Sequence, residues 1–162
     1  MNLSKDLSKI KFVGFDLDGT LTDGGFYYLG DGKWGQRFSV KDGYGIKLLQ
    51  RAGIEVGFIT NSKFESARER AKMLAVEEAH FGIHDKITVW NEIVARKGLS
   101  PEETAYMGDD LPDIPILKIA GFSATVPDAE EYITECCDYV CKRPTGNGAA
   151  REFIDLILKA KS

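Results

Sequence analysis

Residues 10–20 read IKFVGFDLDGT, an apolar run that ends abruptly in a loop with two carboxylates and a glycine. The run has the length and continuous apolar character of a buried strand. Asp16 and Asp18 follow it at once and are separated by a single residue. Parallel sheets bind their ligands beyond the carboxyl ends of the strands, so this stretch predicts both a central strand and the place of the chemistry.

Further apolar runs alternate with helical segments along the rest of the chain. Residues 55–59, 104–107 and 122–126 resemble buried strands, and helical patterns cover residues 44–52, 64–74, 86–97 and 114–119. The final helix has one apolar stripe, formed by Ala150, Phe153, Ile154, Ile157 and Leu158. The alternation predicts an α/β fold: a Rossmann-like, doubly wound parallel sheet with helices on both faces. Chemistry is expected in the loops after residues 15, 59, 81 and 107.

One segment between the first strand and the first helix breaks this alternation. Residues 25–28 and 37–40 flank the sequence Gly30-Asp31-Gly32, which is typical of a hairpin turn. We therefore expect a short β-hairpin flap at about residues 25–40, above the predicted site, and no full cap domain. A length of 162 residues suits one domain, so residues 1–162 are expected to form a single unit.

Composition excludes several classes of partner. The net charge of −4 and the pI of about 5.3 create no global field that favours nucleic acid or an anionic membrane. The apolar runs are strand-sized, and residues 1–9 lack the apolar core of a signal peptide, so a cytoplasmic location is expected. Cys136, Cys137 and Cys141 match no zinc pattern and are interpreted as reduced thiols. His80 and His84 are not expected to bind a metal.

The carboxylates at the strand ends need a compensating charge if they are brought together. Asp16 and Asp18 would repel each other unless a cation or a shared proton offsets their charge. Mg²⁺ favours oxygen ligands and phosphate, and glycines nearby let backbone amides approach a phosphate. Each residue also has an ordinary structural interpretation, because aspartates are common in turns and helix caps. Asp109 and Asp110 could cap a helix that begins near residue 111.

The ordered set of motifs resembles the haloacid dehalogenase superfamily. The Asp-x-Asp-Gly-Thr sequence at Asp16, Thr60 after the second strand, Lys86 at the start of a helix, and Gly108-Asp109-Asp110 with Asp113 all occur in the family order. The resemblance implies a phosphatase in which Asp16 is the nucleophile and Asp18 the acid and base. It further implies Mg²⁺ held by Asp16, Asp18 and Asp109, with Asp110 and Asp113 supporting the metal shell, and phosphate bound by Thr60, Asn61 and Lys86.

Longer stretches are similar to a narrower family, the capless phosphatases of 3-deoxy-D-manno-octulosonate 8-phosphate. Residues 40–47, 106–113 and 146–152 carry this resemblance. It implies a small phosphorylated sugar acid as substrate, a role in lipopolysaccharide biosynthesis, and a homo-oligomer, most simply a tetramer, whose subunits close one another's sites. Related members act on nine-carbon keto-deoxy sugar phosphates or other small sugar phosphates, and some are silent oligomerisation modules. All of these remain alternatives here.

One departure from the family pattern concerns the substrate. The usual Thr-Gly-Arg after the second strand is Thr60-Asn61-Ser62 in this chain, so the arginine available to a sugar acid is missing. Serine cannot replace a bidentate guanidinium clamp. Lys63 and Arg68 are candidate replacements. Tyr27 on the hairpin is a further candidate substrate contact, although hairpin aromatics more commonly pack against a neighbour.

Overall fold

A parallel sheet forms the centre of the computed structural model, which describes residues 5–161. Six strands of that range are hydrogen-bonded in the order β5-β4-β1-β6-β7-β8, and β2 and β3 form a separate hairpin. The strands are β1 Phe12–Phe15, β2 Tyr27–Gly30, β3 Lys33–Gly35, β4 Glu55–Ile59, β5 Glu78–His80, β6 Thr104–Met107, β7 Phe122–Thr125 and β8 Tyr139–Val140. The helices are α1 Val40–Arg51, α2 Glu65–Leu74, α3 Lys86–Lys97, α4 Ile114–Leu117, α5 Glu131–Thr134 and α6 Ala149–Ala160.

Helices cover both faces of the sheet, which confirms the doubly wound α/β prediction. One apolar cluster joins the sheet to α1, α2 and α6, and a second joins it to α3, α4 and α5. Strands β1, β6 and β7 are buried along their whole length, because neither face reaches solvent. Gly14 lets the second face pack closely, since a Cβ there would lie 2.6 Å from the Trp90 ring.

The order of the strands determines where the site opens. β1 pairs in parallel with β4 on one side and with β6 on the other. The chain leaves β1 through a long excursion into the hairpin, then returns to the sheet through α1. The loops that follow β1, β4 and β6 therefore meet at one edge of the sheet, beside the central strand.

The hairpin exists, but its second strand was predicted in the wrong place. Tyr28 pairs with Trp34, and the turn contains Asp31 and two glycines with positive φ. The second strand is Lys33–Gly35; of the predicted residues 37–40, Phe38 forms an isolated antiparallel bridge with Thr22, and α1 begins at Val40, four residues before the predicted helix start. Ser39 caps this helix by accepting a hydrogen bond from the backbone N of Asp42, so a local capping signal overrides the extended pattern. In the described residues no separate cap domain lies above the sheet.

Other differences are at the ends of elements. The first strand begins at Phe12 rather than at residue 10, because a turn of 3₁₀ helix occupies Leu7–Lys9. The capping box at Ser100 is present but starts only one 3₁₀ turn, Pro101–Glu103. The short elements α5 and β8 were not predicted. Across residues 5–161, no helix combines the length and hydropathy that a membrane span requires.

Candidate active site

The centre of the site is a buried pair formed by Asp16 and Lys86. Asp16 follows β1 directly, and its backbone N donates to the Met107 carbonyl at 3.0 Å, which continues the sheet by one residue. Lys86 is the first residue of α3, and its Nζ lies 2.6 Å from Asp16 Oδ1. Both residues are only 4% exposed. Residues 70 positions apart are thus joined by a charged hydrogen bond inside the protein.

Asp113 holds this pair in place through hydrogen bonds. Its Oδ1 accepts from Lys86 Nζ at 2.8 Å and from the Tyr106 hydroxyl at 2.6 Å. Its Oδ2 accepts from the backbone N of Asp109 at 3.2 Å and of Asp110 at 3.3 Å. Because four donors already occupy its two oxygens, Asp113 is suited to hold Lys86 and the acidic loop in place.

Asp109 extends the cluster, whereas Asp110 turns away from it. Thr20 donates from Oγ1 to Asp109 Oδ1 at 2.8 Å, and this contact links the first loop to the loop after β6. Gly19 has a φ of +82°, and a Cβ at that position would lie 2.2 Å from Asp109 Oδ2, so only glycine fits. Asp110 is exposed and caps the next turn by accepting from the backbone N of Leu111 at 2.7 Å.

The donor set fits a divalent cation. Asp16, Asp109 and Asp113 each offer one carboxylate oxygen, and these atoms lie within 4.8 Å of one another. Three carboxylates face one ammonium group, which leaves an excess of negative charge that a metal ion would offset. Oxygen ligands of this kind suit Mg²⁺. Since Asp113 is fully occupied by other donors, Asp16 and Asp109 are the carboxylates best able to bind such an ion.

Burial dominates the electrostatics of the cluster. It raises the pKa of Asp16 well above the usual range, because desolvation outweighs the opposing effect of Lys86. Burial likewise raises the pKa of Asp109 to about 6, against the hydrogen bond from Thr20. Burial alone would lower the pKa of Lys86, but the charges of Asp16 and Asp113 outweigh it and raise that pKa. Lys86 therefore stays protonated, and the Asp16 and Asp109 carboxyls favour binding a proton or a cation.

Asp18 lies at the mouth of the site and faces a cleft. The cleft has a volume of about 400 Å³ and is lined by Asp18, Phe26, Asn61, Ser62, Lys63, Phe64 and His84. Asp18 Oδ1 accepts a hydrogen bond from Gln36 Nε2. Burial raises the pKa of Asp18, against the opposing effects of Lys86 and Gln36. The structure thus joins the predicted residues Asp18 and Asn61 in one opening beside Asp16.

The loop after β4 is closed by two local hydrogen bonds from backbone N atoms to side-chain hydroxyls. Thr60 is buried, and its Oγ1 accepts from the backbone N of Ser62 at 3.0 Å, which leaves its hydroxyl proton free to donate. Ser62 is also buried, and its Oγ accepts from the backbone N of Phe64 at 3.4 Å. Ser62, whose short hydroxyl side chain closes a local turn, therefore occupies the position at which the family resemblance would place an arginine.

The three candidate substrate contacts have different locations. Lys63 lines the cleft and packs its methylene groups near Gly82. Arg68 is not among the lining residues, and its guanidinium stacks over the Phe81 ring at 4.6 Å. Tyr27 donates from its hydroxyl to Asp23 Oδ2 at 2.6 Å and also does not line the cleft. Of these candidates, only Lys63 reaches the opening beside Asp18.

Sequence reasoning missed several residues that shape the site. Gln36, Thr20 and Tyr106 contact predicted site residues, and His84 lines the cleft. A buried tyrosine hydroxyl requires a partner, so Tyr106 in a buried strand carried a usable signal. Gln36 carried none, because its contact depends on how distant loops meet, whereas Thr20 belongs to the Asp-x-Asp-Gly-Thr motif but was assigned no role.

The glycine-rich segment before α6 closes over the first loop. The Thr145 hydroxyl donates to the Gly19 carbonyl and reaches the Thr22 carbonyl at 3.3 Å. Gly146 lies against the same loop, since a Cβ there would be 2.4 Å from the backbone N of Asp23. The segment therefore supports the loop that carries Asp16 and Asp18.

Comparison with known proteins agrees with this geometry. The family model of haloacid dehalogenase-like hydrolases matches residues 80–153. The 3-deoxy-D-manno-octulosonate 8-phosphate phosphatase of Haemophilus influenzae is 36% identical over 159 residues, which cover 98% of this chain and 88% of that protein.

Two solved structures extend the likeness to three dimensions. The corresponding phosphatase of Yersinia pestis has a TM-score of 0.93 at 35% identity, covering 96% of this chain and 84% of that one. The enzyme of Moraxella catarrhalis was solved with a magnesium ion, a phosphate ion and a KDO molecule. It has a TM-score of 0.92 at 36% identity, covering 96% of this chain and 90% of that one. With the fold, the ordered motifs and near-complete coverage in agreement, the chain belongs to the haloacid dehalogenase-like hydrolases and, within them, to the 3-deoxy-D-manno-octulosonate 8-phosphate phosphatase family.

Proposed function

We propose that the protein is a Mg²⁺-dependent phosphatase that hydrolyses 3-deoxy-D-manno-octulosonate 8-phosphate. One observation carries the proposal: the Asp16 carboxylate stands at the carboxyl end of the central strand, held by Lys86 at 2.6 Å and accompanied by Asp109. A silent oligomerisation module would have no need for such a costly buried cluster. The substrate is taken from relatives that match nearly the whole chain.

Asp16 and Asp18 divide the reaction into two steps. The Asp16 carboxylate attacks phosphorus, the ester P–O bond breaks, and an aspartyl phosphate forms. Asp18 donates a proton to the departing alcohol oxygen in the same step. Asp18 then accepts a proton from the water that attacks the aspartyl phosphate, which releases inorganic phosphate and restores Asp16. The cleft position and the raised pKa of Asp18 suit both tasks.

The surrounding residues stabilise the charge on the transferring group. Lys86 offers a fixed cation, and the free hydroxyl proton of Thr60 and the exposed side chain of Asn61 can donate to phosphate oxygens. Mg²⁺, bound by Asp16, the Asp18 carbonyl oxygen and Asp109, would neutralise phosphate charge and orient the group for in-line attack. Asp113 keeps Lys86 and the acidic loop in position, and Asp110 acts as a helix cap.

The cleft offers a lysine, rather than an arginine, to the carboxylate of a sugar acid. Ser62 is buried in a turn, and Lys63 is among the residues that line the cleft. A single ammonium group would bind a carboxylate less selectively than a guanidinium fork. This observation favours a second candidate, a phosphatase of a nine-carbon keto-deoxy sugar phosphate or of another small sugar phosphate.

We also propose a homotetramer that acts in the cytoplasm, within lipopolysaccharide biosynthesis. The hairpin exposes a cluster of large apolar side chains, formed by Phe26, Tyr27, Tyr28, Leu29 and Trp34. Leu29 is 69% exposed and Tyr28 60%, values that a neighbouring subunit would reduce. A second subunit packed on the hairpin would also cover the open cleft beside Asp18.

A substrate panel tests the proposed function. Keto-deoxy sugar acid phosphates of eight and nine carbons should be compared with carboxylate-free sugar phosphates, each with Mg²⁺ or with excess chelator. The octulosonate 8-phosphate should have the highest kcat/KM, and chelator should abolish its turnover. A carboxylate-free sugar phosphate as the best substrate would overturn the substrate assignment, and full activity in chelator would overturn the chemistry.

A further inference from the structure

A hydrogen-bonded chain leads from helix α2 to the carboxyl of Asp18. Ser66, near the start of α2, donates from Oγ to Gln36 Oε1 at 2.9 Å. The other end of the same amide, Nε2, donates to Asp18 Oδ1. Gln36 is half-buried and follows β3 directly, so one side chain from the base of the hairpin spans the gap between Asp18 and α2.

The hydrogen bonds on its two sides fix the orientation of the Gln36 side-chain amide. Nε2 can only donate and Oε1 can only accept, so a hydroxyl that donates to Oε1 leaves Nε2 directed at Asp18. Asp18 Oδ1 is then held as an acceptor. Among the hydrogen bonds of residues 5–161, none reaches Asp18 Oδ2. The oxygen that can carry a proton is therefore the one left free, and the carboxyl has one defined rotation about its terminal bond.

We propose that Gln36 is a positioning residue that, through Ser66, orients the Asp18 carboxyl so that Oδ2 faces the leaving alcohol. The inference rests on the proposed role of Asp18 as the general acid. General acid catalysis depends on a short and well-directed hydrogen bond to the leaving oxygen, so a freely rotating carboxyl would lose part of its effect. Gln36 itself does not touch the reacting atoms.

A purely mechanical role for Gln36 makes a different prediction. The base of the hairpin is also attached to the glycine-rich segment before α6 by Arg37, which does not line the cleft and donates from Nη2 to Asn147 Oδ1 at 2.7 Å. If Gln36 served only to tether the hairpin, loss of this contact and loss of Gln36 should have similar consequences. Both would then change all substrates by the same factor, because neither would act on proton transfer.

The leaving group separates these two roles. Departure of p-nitrophenolate needs little protonation, whereas departure of a sugar alkoxide needs a proton from Asp18. kcat/KM should be measured for p-nitrophenyl phosphate and for the best sugar phosphate of the substrate panel, with Mg²⁺ present. The variants are Gln36→Leu, Ser66→Ala, Asp18→Asn as the reference for a lost acid, and Arg37→Met as the tethering control. Thermal unfolding of each variant monitors the fold.

Gln36→Leu should lower kcat/KM for the sugar phosphate about 10- to 100-fold while changing that for p-nitrophenyl phosphate by about twofold or less. Ser66→Ala should produce the same selectivity with a smaller loss of kcat/KM. Because this variant leaves Asp18 and its direct partner Gln36 in place, it still tests the inference if Gln36→Leu folds poorly. Arg37→Met should change kcat/KM for both substrates by the same factor.

Two results would overturn the inference, and they are distinguishable. If Asp18→Asn is selective for the sugar phosphate but Gln36→Leu and Ser66→Ala lower both substrates equally or neither, Gln36 does not position the acid. If Asp18→Asn itself lowers both substrates by the same factor, the proposed acid role of Asp18 fails, and the role of Gln36 fails with it.

Discussion

Replacing Lys86 with methionine tests whether one buried ammonium group makes the cluster of carboxylates tolerable. Its Nζ contacts Asp16 at 2.6 Å and Asp113 at 2.8 Å, and the side chains of these partners are only 6% and 0% exposed. Removing one member of a buried ion pair costs about 3–5 kcal/mol, because the partner charge stays desolvated and unpaired. We therefore expect Lys86→Met to lower the free energy of unfolding of the metal-free protein by about 3–5 kcal/mol at pH 7.5.

Urea unfolding in excess chelator measures this loss. With a slope of about 2 kcal/mol per molar urea, the midpoint should fall by about 1.5–2.5 M. Lys72→Met is the matched control, because Lys72 pairs with Glu69 in a surface contact whose side chains are 69% and 59% exposed. Such pairs contribute about 0–1 kcal/mol. A midpoint shift for Lys86→Met no larger than that of Lys72→Met would refute the view that Lys86 compensates the buried carboxylates.

Four further predictions follow from the site and the hairpin. Asp16→Asn should abolish turnover by at least about 10⁴-fold while leaving the fold intact, measured as phosphate release beside a circular dichroism spectrum; substantial residual activity would exclude Asp16 as the nucleophile. Because burial raises the pKa of Asp109 to about 6, above its unfolded value, the free energy of unfolding of the metal-free protein should fall by up to about 3 kcal/mol as the pH rises from 4 through 6. Urea midpoints measured over this pH range should decline less when Mg²⁺ is bound or when Asp109 is replaced in Asp109→Asn. An unchanged pH dependence would contradict the assignment of the decline to Asp109. Asn61→Gly combined with Ser62→Arg should raise kcat/KM for the octulosonate phosphate about 10- to 100-fold, and no gain in a normally folded variant would argue against carboxylate recognition at this turn. Light scattering should detect a tetramer that Trp34→Lys on the hairpin disrupts, whereas a fully active wild-type monomer would contradict the proposed assembly.

Local signals in the sequence were sufficient for the long strands β1, β4, β6 and β7 and for the residues at their ends, but not for the short edge strand β8. Asp16 and Asp109 follow buried strands, and parallel topology brings such positions together whatever the intervening loops do. The hairpin boundary failed for a local reason as well, since the extended pattern of residues 37–40 contains Ser39, the cap of α1, and Phe38 forms only an isolated bridge with Thr22. The first turn of α1 buries Asp42, whose carboxylate accepts hydrogen bonds from the backbone N of Gly148 and of Arg151.

Contacts between distant loops could not be predicted from the sequence. Gln36 and Asp18 are 18 positions apart, and Thr20 and Asp109 are 89 apart. Gln36 belongs to no recognisable pattern, and the Asp-x-Asp-Gly-Thr motif that contains Thr20 does not specify Asp109 as its partner. Their roles depend on a few ångströms of loop placement, which is decided by packing after the strands are in order.

The support that Thr145 and Gly146 give to the first loop has a consequence for the order of synthesis. Thr145 lies 126 positions beyond Gly19, whose carbonyl accepts its hydroxyl hydrogen bond. A growing chain therefore exposes Asp16 and Asp18 long before the segment that fixes their loop has been made. Contacts of such long sequence separation form late in folding, since the intervening chain must first be closed. A nascent polypeptide should thus hold the carboxylates proposed to be catalytic in an unfinished loop, and it should acquire phosphatase activity only after Thr145 and Gly146 have been made.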